Sequence, residues 1–270
     1  MESVKVSLSI QHCHSIYSHS KNTLGENFGG AATKLSSHKF DLDETPAQTG
    51  KVAVITGGSE GVGYGASSTL LKHNIEKLFI LSVSEEVVSN AKIAVAEDLG
   101  QAAAEKTTWI QCDLGDWKRV KEAAAEIKSS TNRLDILINN AGRGIMTYQL
   151  TDYGVDRHMA VNHMGHVILT ANLLPLMKET AKSGSTVRIV NLASNVHDSV
   201  PKDLQFKDLA DINQDLGPNT LYGRSKLAAI LFSRYFTRKV TEQGNPNILM
   251  NAVHPGVVST KMSREDIHEP

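Results

Sequence analysis

Lys51-Val-Ala-Val-Ile-Thr56-Gly57-Gly58-Ser59-Glu60-Gly61-Val62-Gly63 is the stretch that decides the fold. Its first half is continuously apolar rather than alternating, so it reads as a strand buried on both faces. Its second half reads as a tight turn that opens a helix running from Gly61 to about His73. Glycine is needed there for three reasons. It permits the turn, it lets backbone approach a pyrophosphate, and it lets helix and strand pack closely. The helix start then presents unpaired N–H groups and a positive dipole end to phosphate. Thr56, Gly57, Ser59, Glu60, Gly61, Val62 and Gly63 are therefore candidate cofactor-binding residues. A bare glycine-rich loop is the alternative, and the preceding strand argues against it.

Outward from this stretch, short apolar runs alternate with segments of helical period. Further strands are expected at Leu78–Leu81, Thr107–Cys112, Leu134–Ile138, Val187–Leu192 and Ile248–Val253. Helices are expected over about Glu85–Leu99, Asp116–Ser129, Asp152–Ala181 and Tyr222–Glu242. Buried strands, each followed by a helix, predict a parallel sheet covered on both faces. Right-handed crossovers make this a doubly wound α/β/α sandwich of three layers. Ligands in such a sheet sit beyond the carboxyl ends of the strands. The motifs discussed below fall at such ends.

The 270-residue chain has a net charge of −1 and interspersed charges, so it lacks the basic surface of a nucleic-acid binder. No apolar run approaches the roughly 20 residues needed to span a bilayer. The two cysteines, Cys13 and Cys112, give neither a disulfide framework nor a metal-ligand spacing, and a reducing compartment is the natural reading. Residues 1–48 are rich in Ser, His, Asn and Gly and read as a disordered leader ahead of a catalytic domain at 49–270. The leader's first residues are Ser-rich and carry Lys5 and Lys21 against one early acid, Glu2, as a mitochondrial presequence would, but no Arg, so the location reads as cytoplasmic, with mitochondria the alternative. His12, Cys13, His14 and His19 are read as solvated, with no metal site expected. His158, His163 and His166 are read as packing or surface residues.

Tyr222-Gly-Arg-Ser-Lys226 places a phenol and an ammonium on one face of a helix. A Tyr-x-x-x-Lys spacing alone is common and reads more readily as a surface pair. Ser194 closes the fifth strand within Val190-Asn-Leu-Ala-Ser194, and Asn162 lies in Val161-Asn-His-Met-Gly-His166.

The spacing Thr-Gly-x-x-x-Gly-x-Gly from Thr56 to Gly63, with Asn162, Ser194, Tyr222 and Lys226 in that order, resembles the short-chain dehydrogenase/reductase family. Asn139-Asn140-Ala141-Gly142 resembles the family's NNAG motif, and Pro255-Gly256-Val257-Val258 its Pro-Gly segment. The resemblance spans about residues 50–270 and is similar to the retinol-dehydrogenase-like branch, in particular to fungal oxidoreductases, some of them assigned to mitochondria. It implies a Rossmann fold and hydride transfer between a nicotinamide dinucleotide and a small carbonyl or alcohol substrate, without a metal. It also implies roles. Tyr222 is the general acid/base. Lys226 lowers the Tyr222 pKa from about 10 and binds the nicotinamide ribose. Ser194 holds the substrate oxygen, and Asn162 anchors a water. Asn140, Ala141 and Gly142 line the cofactor, Asp113 and Leu114 hold the adenine, and Pro255, Gly256 and Val258 face the nicotinamide. Asp113 reads alternatively as a helix N-cap, and the Pro-Gly segment as a plain turn.

The second strand ends Leu81-Ser82-Val83-Ser84 without the acid that binds a ribose 2′-hydroxyl. Ser82 and Ser84 can bond a 2′-phosphate, so NADP is expected, with NAD the alternative. Against the family, the sequence ends soon after the Pro-Gly segment. The expectation is a domain lacking the usual last strand, the lid and part of a homodimer interface, with an open sheet edge. Two further readings follow: a dinucleotide-binding module without turnover, and an incomplete, inactive product.

Overall fold

The computed structural model describes residues 41–256 and residue 258. The expectations for residues 1–40, including the four leader His and Cys residues, and for Val257 lie outside them.

Alternation along the strands builds two cores from one sheet. Val52 and Val54 of β1 (Val52–Thr56) join Phe79 and Leu81 of β2 (Lys77–Ser82) on one face. Ala53 and Ile55 join Leu78 and Ile80 on the other. Each of these side chains larger than alanine contributes about 1.5–3 kcal/mol of hydrophobic stabilisation, so both faces need a helical cover. The second face is covered by α1 (Gly61–Lys72), α2 (Glu85–Leu99) and the short α3 (Gln101–Glu105), through Leu70, Leu71, Val88, Val95 and Ala104. The first is covered by α4 (Trp117–Ser130), which follows β3 (Thr107–Gln111), and by later helices.

After β4 (Ile136–Asn139) comes the main departure from expectation. The expected single helix over 152–181 is interrupted. Gly154 takes a left-handed φ of +68°, and Asp156 caps α5 (Arg157–Met159) by accepting from Met159 N at 3.0 Å. A π-turn, Ala160–Met164, follows, and only then does α6 (Gly165–Lys182) run regularly. Apolar periodicity is blind to a π-turn, because one extra residue per turn merely rotates the stripe. β5 (Val187–Leu192), the short α7 (Leu209–Ile212), α8 (Pro218–Phe236) and β6 (Ile248–Val253) complete the described chain. The helix carrying Tyr222 thus starts a turn earlier than expected, with Pro218 at its first position.

The pairings within the sheet are parallel and the strand order is β3-β2-β1-β4-β5-β6, the expected doubly wound sheet. The order reverses between β1 and β4, which opens a crevice at their carboxyl ends. β6 is an edge strand among the described residues. No helix among them is long and apolar enough to cross a membrane. Gln48 is buried and its N–H donates to His73 O at 2.7 Å, so the packed body includes the last residue assigned to the leader.

Candidate active site

The glycine turn is held from below. Thr56 Oγ1, at the end of β1, accepts from Asn140 N at 2.9 Å and Ala141 N at 3.0 Å. Asn140 Nδ2 donates back to Thr56 O and Gly57 O. The ends of β1 and β4 are thereby locked together at the crevice. Gly57 and Gly61 adopt φ of +62° and +52°. At Gly63 a Cβ would lie 2.1 Å from Gly57 O, so only glycine lets α1 start this close to the turn. Glu60, the N-cap of α1, makes no side-chain cap bond. A helix start without a side-chain acceptor, at the mouth of the crevice, suits an anionic phosphate.

The carboxyl ends of β4 and β5 carry the remaining groups. Asn162 sits in the π-turn with its side chain fully engaged: Oδ1 accepts from Arg143 N at 2.6 Å, and Nδ2 donates to Arg143 O and to Ser225 Oγ, both at 3.0 Å. π-turns recur at functional sites, and this one aims Asn162 at the loop after Gly142. A Cβ on Gly142 would lie 3.2 Å from Asn162 Oδ1 and 3.7 Å from Lys226 Nζ, so this glycine keeps the space between them open.

Ser194, nearly buried, follows β5 and caps the 3-10 turn Asn195–Ser199 by accepting from Val196 N at 3.3 Å. Its hydroxyl also lies near enough to the Tyr222 phenol to lower the tyrosine's pKa. Gly223 makes that meeting feasible, because a Cβ there would lie 2.8 Å from Val196 O. Lys226 Nζ donates to Leu192 O at 2.8 Å and lies 5.4 Å from the centre of the Tyr222 ring. The structure thus brings Asn162, Ser194, Tyr222 and Lys226 to one place, as the sequence order suggested.

Burial dominates the electrostatics of the Tyr222–Lys226 pair. Burial raises the Tyr222 pKa, and the nearby Ser194 hydroxyl offsets this only in part. Burial also pushes Lys226 down to about 8, so the ammonium that was expected to lower the tyrosine is itself only weakly held as a cation. Both shifts have the same cause, removal of charge from water, and both are reduced by any fixed charge brought into the site.

The outlying candidates are less tightly gathered. Asp113 is not a helix N-cap; that role belongs to Asp116, which accepts from Lys118 N and Arg119 N at 3.1 Å each. Asp113 instead accepts from Gly115 N at 2.7 Å and pairs with Arg157 at 3.0 Å. Leu114 is buried, and α6 begins hard against it, since a Cβ on Gly165 would lie 2.4 Å from Leu114 O. Ser84 caps α2 by accepting from Val87 N at 3.3 Å, which leaves its hydroxyl hydrogen free. Ser59 donates to Ser82 Oγ at 3.4 Å. Pro255 and Gly256 follow β6 at the same end of the sheet, with Gly256 at φ +84°.

The sequence assigns no role to Arg143, Ser225 or Arg224. Arg143 and Ser225 hold Asn162. Arg224 is fully buried; it donates to Asp211 O at 3.0 Å and to Ile212 O, and lies 3.6 Å from buried Asp156. Their only sequence signal was position within or beside a motif.

The family model described as short chain dehydrogenase matches residues 51–202. The chain belongs to the short-chain dehydrogenase family. A Neurospora crassa family member, provisionally named mitochondrial oxidoreductase bli-4, is 57% identical over 254 residues, covering 93% of this chain and 62% of its own length. Human polyprenol dehydrogenase is 29% identical over 215 residues, covering 80% of this chain and 63% of its own. The chain therefore spans just under two thirds of these two short-chain dehydrogenase relatives. Among solved structures, Pseudomonas aeruginosa RhlG in an NADP active-site complex superposes with a TM-score of 0.63 at 23% identity, covering 83% of this chain and 79% of that one, a likeness of fold.

Proposed function

We propose that this short-chain dehydrogenase interconverts a carbonyl and an alcohol by hydride transfer with a nicotinamide dinucleotide, and that Tyr222 is its general acid/base. The observation that carries the reading is the meeting of Tyr222 with Ser194 and Lys226 beside the β1/β4 crevice. A module that only bound a dinucleotide would have no use for a half-buried phenol set beside a serine and a lysine.

The residues fit such a cofactor. The α1 start without a side-chain cap suits the pyrophosphate, Lys226 the ribose hydroxyls, and Asp113 with Leu114 the adenine edge. Val258, half-buried after β6, joins Pro255 and Gly256 on the nicotinamide side. When bound, the cofactor supplies the hydride donor or acceptor. In alcohol oxidation Tyr222 Oη takes the hydroxyl proton as the C–H bond breaks, and Ser194 Oγ holds the substrate oxygen as it becomes a carbonyl. In reduction the same groups return the proton. Asn162, fixed at both ends of its amide, keeps the π-turn closed beside Lys226.

NADP is favoured over NAD because the end of β2 offers Ser82 and Ser84 hydroxyls and no carboxylate. Titrating the chain with NADPH and NADH, then supplying aldehydes and ketones, tests both points. A polyprenol, the class named for the human relative, belongs in the oxidation screen. Saturable binding with turnover is expected, and Tyr222→Phe should keep binding and lose turnover. Turnover near wild type in that variant would sink the mechanism. The mitochondrial name of the Neurospora relative favours a mitochondrial location over the cytoplasmic one.

A further inference from the structure

We infer that His166 is a positioning residue that, as the neutral Nδ1–H tautomer, couples the cofactor turn to Asn162; this rests on the function proposed above. The imidazole is buried between the two features it joins. Its Nε2 lies 2.8 Å from Thr56 Oγ1 and its Nδ1 3.1 Å from Asn162 O.

The tautomer follows from the partners. A carbonyl oxygen only accepts, so Nδ1 must carry the hydrogen. Thr56 Oγ1 already accepts from Asn140 N and Ala141 N, which fills both of its lone pairs. Its hydroxyl hydrogen must therefore go outward, and Nε2 at 2.8 Å is a far better acceptor than Ile138 O at 3.5 Å. Two independent partners thus give one answer: hydrogen on Nδ1, none on Nε2. Burial holds the ring neutral and pushes it down to about 3, with the charges of Lys226 and His163 acting in the same sense.

The result is a directed chain. The N–H groups after β4 donate to Thr56, Thr56 donates to His166, and His166 donates to the backbone of the residue at the centre of the π-turn. Thr56 begins the glycine turn, so one rigid ring braces that turn at one end and the backbone of Asn162 at the other. A displacement of about 1 Å at such a site is enough to cost on the order of 100-fold in rate. Other contacts to Asn162 come from Arg143 and Ser225, and neither reaches the glycine turn.

The test separates the two ends of the ring. In the full chain labelled with 15N-histidine, NMR should show His166 with hydrogen on Nδ1 and bare Nε2, unchanged between about pH 5 and 8. Hydrogen on Nε2, or titration in that range, overturns the proposal without any substitution. His166→Asn keeps an amide donor near Nδ1 and loses Thr56; His166→Gln keeps an acceptor near Nε2 and loses Asn162. With saturating cofactor, His166→Gln should lose about 10- to 100-fold in kcat, and His166→Asn less than about threefold. The cofactor Kd should weaken in His166→Asn and hold in His166→Gln. Equal losses in both variants would make the ring a filler and overturn the coupling. If wild-type chain binds no nicotinamide dinucleotide, the proposed function fails, while the tautomer measurement still reads the hydrogen-bond chain.

Discussion

Tyr222 has to trade a proton in the proposed reaction, and its surroundings set the pH at which it can. Burial raises its pKa, so oxidation, which needs phenolate, should accelerate as pH rises into the alkaline range. Reduction needs the phenol and should stay level there, falling only as the tyrosine ionises. Pre-steady-state rates in both directions from about pH 6 to 10 check the signs, and a flat oxidation profile would contradict them. Lys226→Met removes the nearby ammonium, so the oxidation limb should move to higher pH and the rate should fall about 100- to 10,000-fold. Ser194→Ala should cost about 100- to 1,000-fold in kcat, the size of a lost oxyanion donor, with cofactor binding held. These residues were legible in the sequence because the chemistry demands a type at a spacing. His166, Arg143 and Ser225 were not. They act on backbone atoms or on other side chains, and no spacing rule connects Thr56 to a ring 110 positions away. Sequence also shows the Lys226 charge but not the burial that raises Tyr222 and lowers Lys226.

Elements place those residues through close approaches that tolerate little change. Gly63→Ala would set a methyl against Gly57 O and Asn140 Nδ2, forcing α1 away from the turn. Overpacking of this kind costs about 1–3 kcal/mol, and the displaced helix start should lose cofactor affinity alongside stability. Parallel urea unfolding and cofactor titration would show it; a stable variant with normal affinity would refute the reading of Gly63. Arg224 works at the same scale, tying α8 to the carbonyls of α7 and to Asp156 at the start of α5. Arg224→Leu strands a buried carboxylate, so a loss of about 3–5 kcal/mol is expected. Adding Asp156→Asn should recover part of it, and a purely additive double variant would exclude the pair. The strands were read almost to the residue, since a sheet buried on both faces writes continuous apolar runs. The interrupted helix was not, because a π-turn merely rotates the apolar stripe, and the Gly154 turn and the Asp156 cap show only in the structure. Nothing in the sequence marks Arg224 as buried, and only the packing of α5, α7 and α8 shows it inside.

For the molecule as a whole, the buried imidazole is a liability in acid as well as a strut. An exposed histidine in the unfolded chain titrates near about 6.5, whereas burial holds His166 down to about 3 in the folded protein. Between those values the unfolded chain binds a proton that the folded chain refuses. Stability is therefore fully present above about pH 6.5 and declines as pH falls toward the folded value, by up to about 1.4 kcal/mol per pH unit for the one proton. His163, half-buried against Phe232 with ring centres 5.9 Å apart, is pushed to about 4 and adds to the slope less fully, since part of its surface meets water. Asp135 answers in a lower window. Burial raises it, but Arg133, Ser185 and the Val52 N–H outweigh burial, so its contribution persists until pH drops below the ordinary carboxylate range. The two windows separate experimentally. Unfolding free energy measured by urea between about pH 7 and 5 should fall by more than about 1 kcal/mol in the wild type. The fall should be much shallower in His166→Asn, which keeps the local donor but has no imidazole to protonate. A wild-type curve that stays level across that interval would mean that His166 is not held neutral, and the hydrogen-bond chain from the glycine turn to Asn162 would lose its central link.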